Sequence, residues 1–171
     1  VEITALGSRG DGVATTDQGK LYIPYAAPGD QLKVRMPTGK KKGQTHGRIE
    51  EVLAPGPDRR PPICPHFGQC GGCAVQHVEF DTYERWKRQL VCEALQHRGI
   101  DPSPVLPLVP GGLARRRRTR LSARKTASGL LLGYRAMRSH IIVPLRECSV
   151  LVPSIVDLFD GLRGLLDTVL A

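Results

Sequence analysis

Three cysteines fall within ten residues, in the run Cys64-Pro65-His66-Phe67-Gly68-Gln69-Cys70-Gly71-Gly72-Cys73. Five residues separate the first two and two separate the second pair, with Cys92 and Cys148 the remaining candidates for a fourth ligand. Five is an odd count, and crowded, unpaired thiols suit a reducing compartment where thiolates serve metals rather than disulfides. Three clustered cysteines with a remote fourth is a ligation pattern of iron–sulfur clusters, because a bulky inorganic core has to be wrapped by chain. Gly71 and Gly72 allow the backbone to approach such a core closely, and their amides can hydrogen-bond to sulfur. Zinc is the competitor. Structural zinc sites usually pair cysteines two to four residues apart on both sides, and thiolate softness suits either metal. Spacing alone leaves cluster and zinc both open. Cys92 falls in the middle of an expected helix, where a small apolar residue serves as packing. Cys148 lies at an expected strand-to-helix junction that can turn its sulfur inward, which makes it the better fourth ligand. His66 and His77 flank the motif and read as polar neighbours rather than ligands.

The second chemical signal is cationic. The chain of 171 residues carries a net charge of +9. Between Asp101 and Glu147 there are ten Lys or Arg and no acid, and between Asp30 and Glu50 there are six and no acid. Solvated surfaces mix their signs, so one-signed stretches point to a polyanion, either nucleic acid or an anionic membrane surface. The expected contacts are Lys40, Lys41 and Lys42 at a hairpin tip, then Arg116, Arg117, Arg118, Arg120, Arg124 and Lys125, then Arg135 and Arg138. If a strand starts at Arg118, then Arg118, Arg120 and Arg124 share one face through period-two alternation, ready for bidentate contact with successive phosphates. Tyr22, Tyr25, Phe67 and Tyr134 are stacking candidates, each equally readable as core.

These residues need positioning elements. Residues 1–55 read as short strands at 1–6, 20–25, 31–36 and 45–53, punctuated by turns such as Arg9-Gly10-Asp11-Gly12. Close, regular spacing predicts a small OB-like β-barrel. Residues 56–62 are a proline-rich linker. Residues 63–152 form the cysteine-bearing and RNA-binding domain. Within it a helix over 81–99 opens on an Asp81/Glu84 capping box and closes at Gly99. Candidate strands at 118–125, 129–135 and 138–144 follow as an antiparallel meander. A helix over 154–170 ends the chain with a wide apolar stripe. The fold class is therefore α+β: a barrel, then an antiparallel-sheet domain with helices and a cysteine-bound centre.

No apolar run approaches the roughly 18 residues that span a bilayer, and Val1-Glu2-Ile3 does not open a secretory signal. The chain starts without Met, which suggests a piece of something longer. No phosphate-cradling glycine motif follows a strand, and no Ser/His/Asp set or carboxylate pair is visible, so no catalytic residue is assigned.

The order of a small β module, Cys64-x5-Cys70-Gly71-Gly72-Cys73, Gln76-His77, a helix, an Arg-rich strand, Gly133-Tyr134-Arg135, Arg138-Ser139-His140 and Cys148 resembles the N-terminal half of the RumA/TrmA class of RNA 5-methyluridine methyltransferases. That resemblance implies a TRAM domain in front and a [4Fe-4S] cluster on Cys64, Cys70, Cys73 and Cys148. It also implies structured RNA (23S rRNA or tRNA) as partner, the cytoplasm as location and a monomeric state. The family's S-adenosylmethionine site, its nucleophilic cysteine and its general base belong to a Rossmann-like domain with no counterpart in these residues. Relatives usually place an aromatic before the arginine run; here Arg115 takes its place. The competing readings are a zinc-stabilised RNA-binding module and, against the charge, a ferredoxin-type electron carrier.

Overall fold

The computed structural model describes residues 1–36 and 45–170. Lys40, Lys41 and Lys42 lie outside the described residues. The chain divides into two compact units, each assembled from two separate stretches: Val1–Pro61 with Ala74–Pro110, and Pro62–Cys73 with Gly111–Ala171. This division differs from the sequential one drawn from sequence, since the long helix joins the first unit.

In the first unit, β1 (Ala5–Leu6), β2 (Gly12–Thr16), β3 (Gly19–Ile23) and β5 (Thr45–His46) form one sheet in that order. Strands β4 (Gln31–Arg35) and β6 (Arg48–Ala54) form an antiparallel pair whose register shifts twice. Ile3, Ala14, Leu21, Ile23, Ala26 and Leu32 make one buried core, flanked by Val34 and Ile49. Alternating apolar positions face this core, as a half-solvated sheet requires. The expected barrel is not closed. Among the described residues both sheets are open, because β4 and β6 pair with no other strand, Gln31 making only an isolated bridge to Glu2, and β5 adds to β3 through just two residue pairs. Strand β2, placed among turns by its neighbouring glycines, was not among the expected strands.

The proline-rich stretch is not a free linker. Asp30, fully buried, accepts from the Gly56 and Ala27 amides at 3.0 and 2.7 Å and from Arg59 Nε and a terminal nitrogen at 2.8 and 2.7 Å. Arg59 also donates to the Tyr25 carbonyl. Every lone pair of the buried carboxylate thus has a donor, which is what makes a buried charge tolerable. Burial by itself would raise the Asp30 pKa, but the Arg59 hydrogen bonds, the two amides and the guanidinium charge outweigh it and hold the carboxyl below its usual 3.8.

Helix α1 (Phe80–Gln96) starts without the expected capping box. Its N-terminus is met instead by Asp58 of the proline-rich stretch, whose carboxylate accepts from Thr82 Oγ1 at 2.7 Å and whose carbonyl accepts from the Glu79 amide. The tertiary partner displaces the local one. Gly99, at φ +70°, ends the helix as expected, with the Ile100 amide donating to the Leu95 carbonyl. Cys92 is buried on this helix, in keeping with a packing role.

In the second unit, β7 (Ser122–Thr126), β8 (Gly129–Arg135) and β9 (Ile142–Pro144) form the expected antiparallel meander. The terminal helix is broken into α2 (Pro153–Val156) and α3 (Phe159–Val169), and the break lets Phe159 enter the core. Cys70, Val143, Leu145, Leu151 and Phe159 form that core. Gly133 is demanded by strand approach: a Cβ there would sit 1.9 Å from the Val143 carbonyl oxygen. Gly133→Ala is therefore expected to push β8 off β9. Overpacking of this kind costs about 2–3 kcal/mol, or about 4–12 °C in melting temperature for a chain of this size, measurable by a thermal melt.

Candidate functional site

The loop over residues 64–73 is shaped by successive turns. The Phe67 amide donates to the Cys64 carbonyl at 3.0 Å, and the Gln69 and Cys70 amides both donate to the His66 carbonyl, at 3.2 and 2.8 Å. Gly68, at φ +87°, permits the reversal. The five-residue gap is thus taken up by a compact turn that returns Cys70 toward Cys64. Past that turn the loop docks on β8: Cys70 bridges to Ala136, and the Gly71 amide donates to the Arg135 carbonyl at 3.0 Å. A Cβ on Gly71 would meet that same carbonyl at 2.7 Å, so the docking needs glycine.

Cys148 follows β9 and packs on the core that contains Cys70. Arg163 of α3 donates to the Leu145 carbonyl three residues before it, and the Leu151 amide donates back to the Cys148 carbonyl at 3.3 Å. The three cysteines of the motif and Cys148 therefore belong to one unit, while Cys92 belongs to the other. None is in a disulfide.

The Cys70 thiol is shifted by burial and by the other three cysteines. Burial pushes its thiol above the ordinary value of 9.0; the Gly72 N–H, 3.4 Å from Sγ, acts in the opposite direction; Cys73, Cys64 and Cys148 each add to the rise. Thiolates gathered in this way repel one another, and a cationic centre reverses that sign. Three sulfurs from one loop and a fourth from a segment held on the same core are a donor set suited to a soft metal or an iron–sulfur core. Among the described residues no three His, Cys, Asp or Glu side chains form a group that could hold a metal ion as they stand. His66 Nδ1 is 3.8 Å from Cys64 Sγ, a polar neighbour. His77 is not solvent-facing. It is buried in the first unit beside Tyr25, and burial lowers its pKa below the ordinary 6.5.

The arginine run departs from expectation. β7 begins at Ser122, so Arg118 and Arg120 precede the strand and share no face with Arg124 through alternation. The reason is competition for β8, because the cysteine loop occupies its edge at Arg135 and Ala136, where β7 would otherwise continue. The run pairs elsewhere: the Arg116 amide donates to the Val150 carbonyl and its carbonyl accepts from Val152, at 2.9 and 3.1 Å. Arg116, Arg117, Arg118, Arg120, Arg124 and Arg135 are all exposed. Lys125 is engaged by α3, donating to the Asp167 carbonyl at 2.7 Å with the carboxylate 3.5 Å away. Arg138 sits in the β8–β9 turn at φ +53°. Sequence reasoning left out Thr119 and Ser122. The Thr119 hydroxyl lies 2.6 Å from that of Tyr134, and Ser122 shares a cleft with it; only the fold brings these residues together.

No helix of the described residues is long and apolar enough to cross a membrane. No family model matches the chain. It is similar over nearly all its length to the N-terminal portion of proteins named RNA methyltransferases. An uncharacterized RNA methyltransferase of Agrobacterium fabrum is 41% identical over 171 residues, covering 96% of this chain and 39% of its own length. One of Brucella suis biovar 1 is 40% identical over 163 residues, covering 95% and 38%. A relative with a more specific name is the 23S rRNA (uracil(1939)-C(5))-methyltransferase RlmD of Alkalilimnicola ehrlichii, 32% identical over 98% of this chain and 38% of its own. The chain spans about two fifths of the length of these relatives.

Proposed function

We propose that this chain is the RNA-holding and cluster-holding part of an S-adenosylmethionine-dependent RNA uracil-5-methyltransferase acting in the cytoplasm, with rRNA or tRNA as substrate. The observation that carries the reading is that Cys64, Cys70, Cys73 and Cys148 belong to one unit, with Cys148 packed on the core that contains Cys70, and that Arg116, Arg117, Arg118, Arg120, Arg124 and Arg135 of that unit are exposed. The names of the relatives support the RNA substrate and the methyl transfer. In this reading residues 1–55 are the TRAM module, and the four cysteines hold a [4Fe-4S] cluster.

When bound, the cluster supplies a cross-link between the loop over 64–73 and the Cys148 segment. The chain's own residues do the rest. Gly71 ties the loop to β8, the Gly72 amide donates to the Cys70 sulfur, and the arginines offer guanidinium forks to phosphates. Methyl transfer itself belongs to the parts of the longer protein that carry its S-adenosylmethionine site.

Two measurements test this. Anaerobically purified protein should show a broad visible absorbance, with iron and acid-labile sulfide in equal amounts; zinc without either would replace the cluster by a zinc-held module. Binding to structured, uridine-containing RNA should weaken steeply with salt. If Arg116, Arg117, Arg118, Arg120, Arg124 and Arg135 each displace a counterion, the slope of log K against log salt is about −4 to −5. A slope shallower than about −2 would remove the RNA reading.

A further inference from the structure

The second unit contains a cleft of about 530 Å³ whose wall is built partly from the cysteine loop. Gly71 and Gly72 form one side, Tyr134 and Arg135 of β8 another, and Arg120 with Ser122 the approach to β7. The Tyr134 ring lies against Gly72 so closely that a Cβ on that glycine would meet ring carbons at 3.3 and 3.4 Å. Its hydroxyl is fixed by Thr119 at 2.6 Å. The ring is therefore a half-buried aromatic surface held at both ends. Arg120 and Arg135 are exposed and, among the described residues, neither is paired with a carboxylate; Arg135 reaches only His140 Nδ1, at 3.1 Å. An aromatic platform flanked by two unneutralised guanidinium groups is the chemistry that holds one unstacked nucleotide: base on ring, phosphates on arginines.

We infer that this cleft is a subsite for a single unpaired nucleotide of the bound RNA, with its base stacked on Tyr134 and its flanking phosphates on Arg120 and Arg135. Ser122 supplies a hydroxyl for the base edge. The inference rests on the RNA reading above and deepens it. Because Gly71 and Gly72, which line one side of the cleft, lie between Cys70 and Cys73, a group held by those cysteines would also set the shape of the subsite.

The test uses the anaerobically purified chain and a short oligouridine carrying one central 5-iodouridine. On irradiation the wild-type protein should crosslink at Tyr134, read by peptide mass spectrometry; crosslinks confined to peptides outside residues 119–136 would overturn the assignment without needing any variant. In parallel, Tyr134→Leu should weaken oligouridine binding about tenfold or more, as loss of one base stack does, whereas Tyr134→Phe should stay within about twofold. Arg120→Gln should lower the salt slope by about one. Unchanged affinity and slope in both Tyr134→Leu and Arg120→Gln, with wild-type binding intact, sink the subsite alone. Absence of salt-sensitive binding by the wild type sinks the RNA reading itself.

Discussion

Cys148→Ser is expected to strip the protein of its iron, lower its melting temperature and weaken RNA binding in one step. Cys148 sits on the core shared with Cys70, far in sequence from the loop over 64–73. A ligand there closes a long chain loop, so its loss is felt in stability as well as in metal content. Changes merely beside a metal site cost about 10–100-fold in affinity, so losing a ligand outright should cost at least roughly 3 kcal/mol, or about 6–12 °C in a chain of this size. Iron and sulfide assay, a thermal melt and RNA titration read the three effects separately. Cys92→Ala is the control: that residue is buried in α1 of the other unit, and its replacement should leave iron content unchanged. A Cys148→Ser protein that keeps its iron and its melting temperature would refute the four-cysteine centre.

Asp30→Asn should produce the next largest loss. The side chain is fully buried, and four donors converge on its two oxygens. Removing the charge strands Arg59, which is itself only about one-fifth exposed. Breaking a buried pair from one side costs about 3–5 kcal/mol, or about 6–20 °C. The double change Asp30→Asn with Arg59→Met should recover part of this, since no uncompensated charge is left. The pH dependence has a definite sign. The folded carboxyl titrates below 3.8, so its contribution is fully present above that value and is lost as the pH falls through the lower folded pKa. The wild-type melting temperature should thus fall in this acid range, and the variant's should fall less. A variant with an unchanged melting temperature and a parallel acid profile would show that the pair contributes nothing.

The two sites differ in how they are written in the chain. The loop over 64–73 announces itself locally, through three cysteines and two glycines at short spacing, and the proposed four-cysteine centre rests on that signal. The meander over 122–144 and the C-terminal glycine of α1 were equally legible, since alternation and turn chemistry are short-range signals. Asp30 and Arg59 carry no such mark. An acid next to glycine and an arginine beside prolines read as turn and linker, and only burial converts them into a clamp.

What the sequence determined by itself was the inventory: which thiols are available, where the positive charge lies, and which segments alternate or cycle. Tertiary structure decided the competitions between partners. The cysteine loop, not β7, takes the edge of β8 at Arg135 and Ala136, which leaves Arg118 and Arg120 outside the strand and opens the cleft beside Tyr134. Asp58, not Asp81, meets the start of α1. Each outcome turns on one backbone edge or one helix end being claimed by whichever group packing brings nearest, a choice that spacing along the chain does not encode.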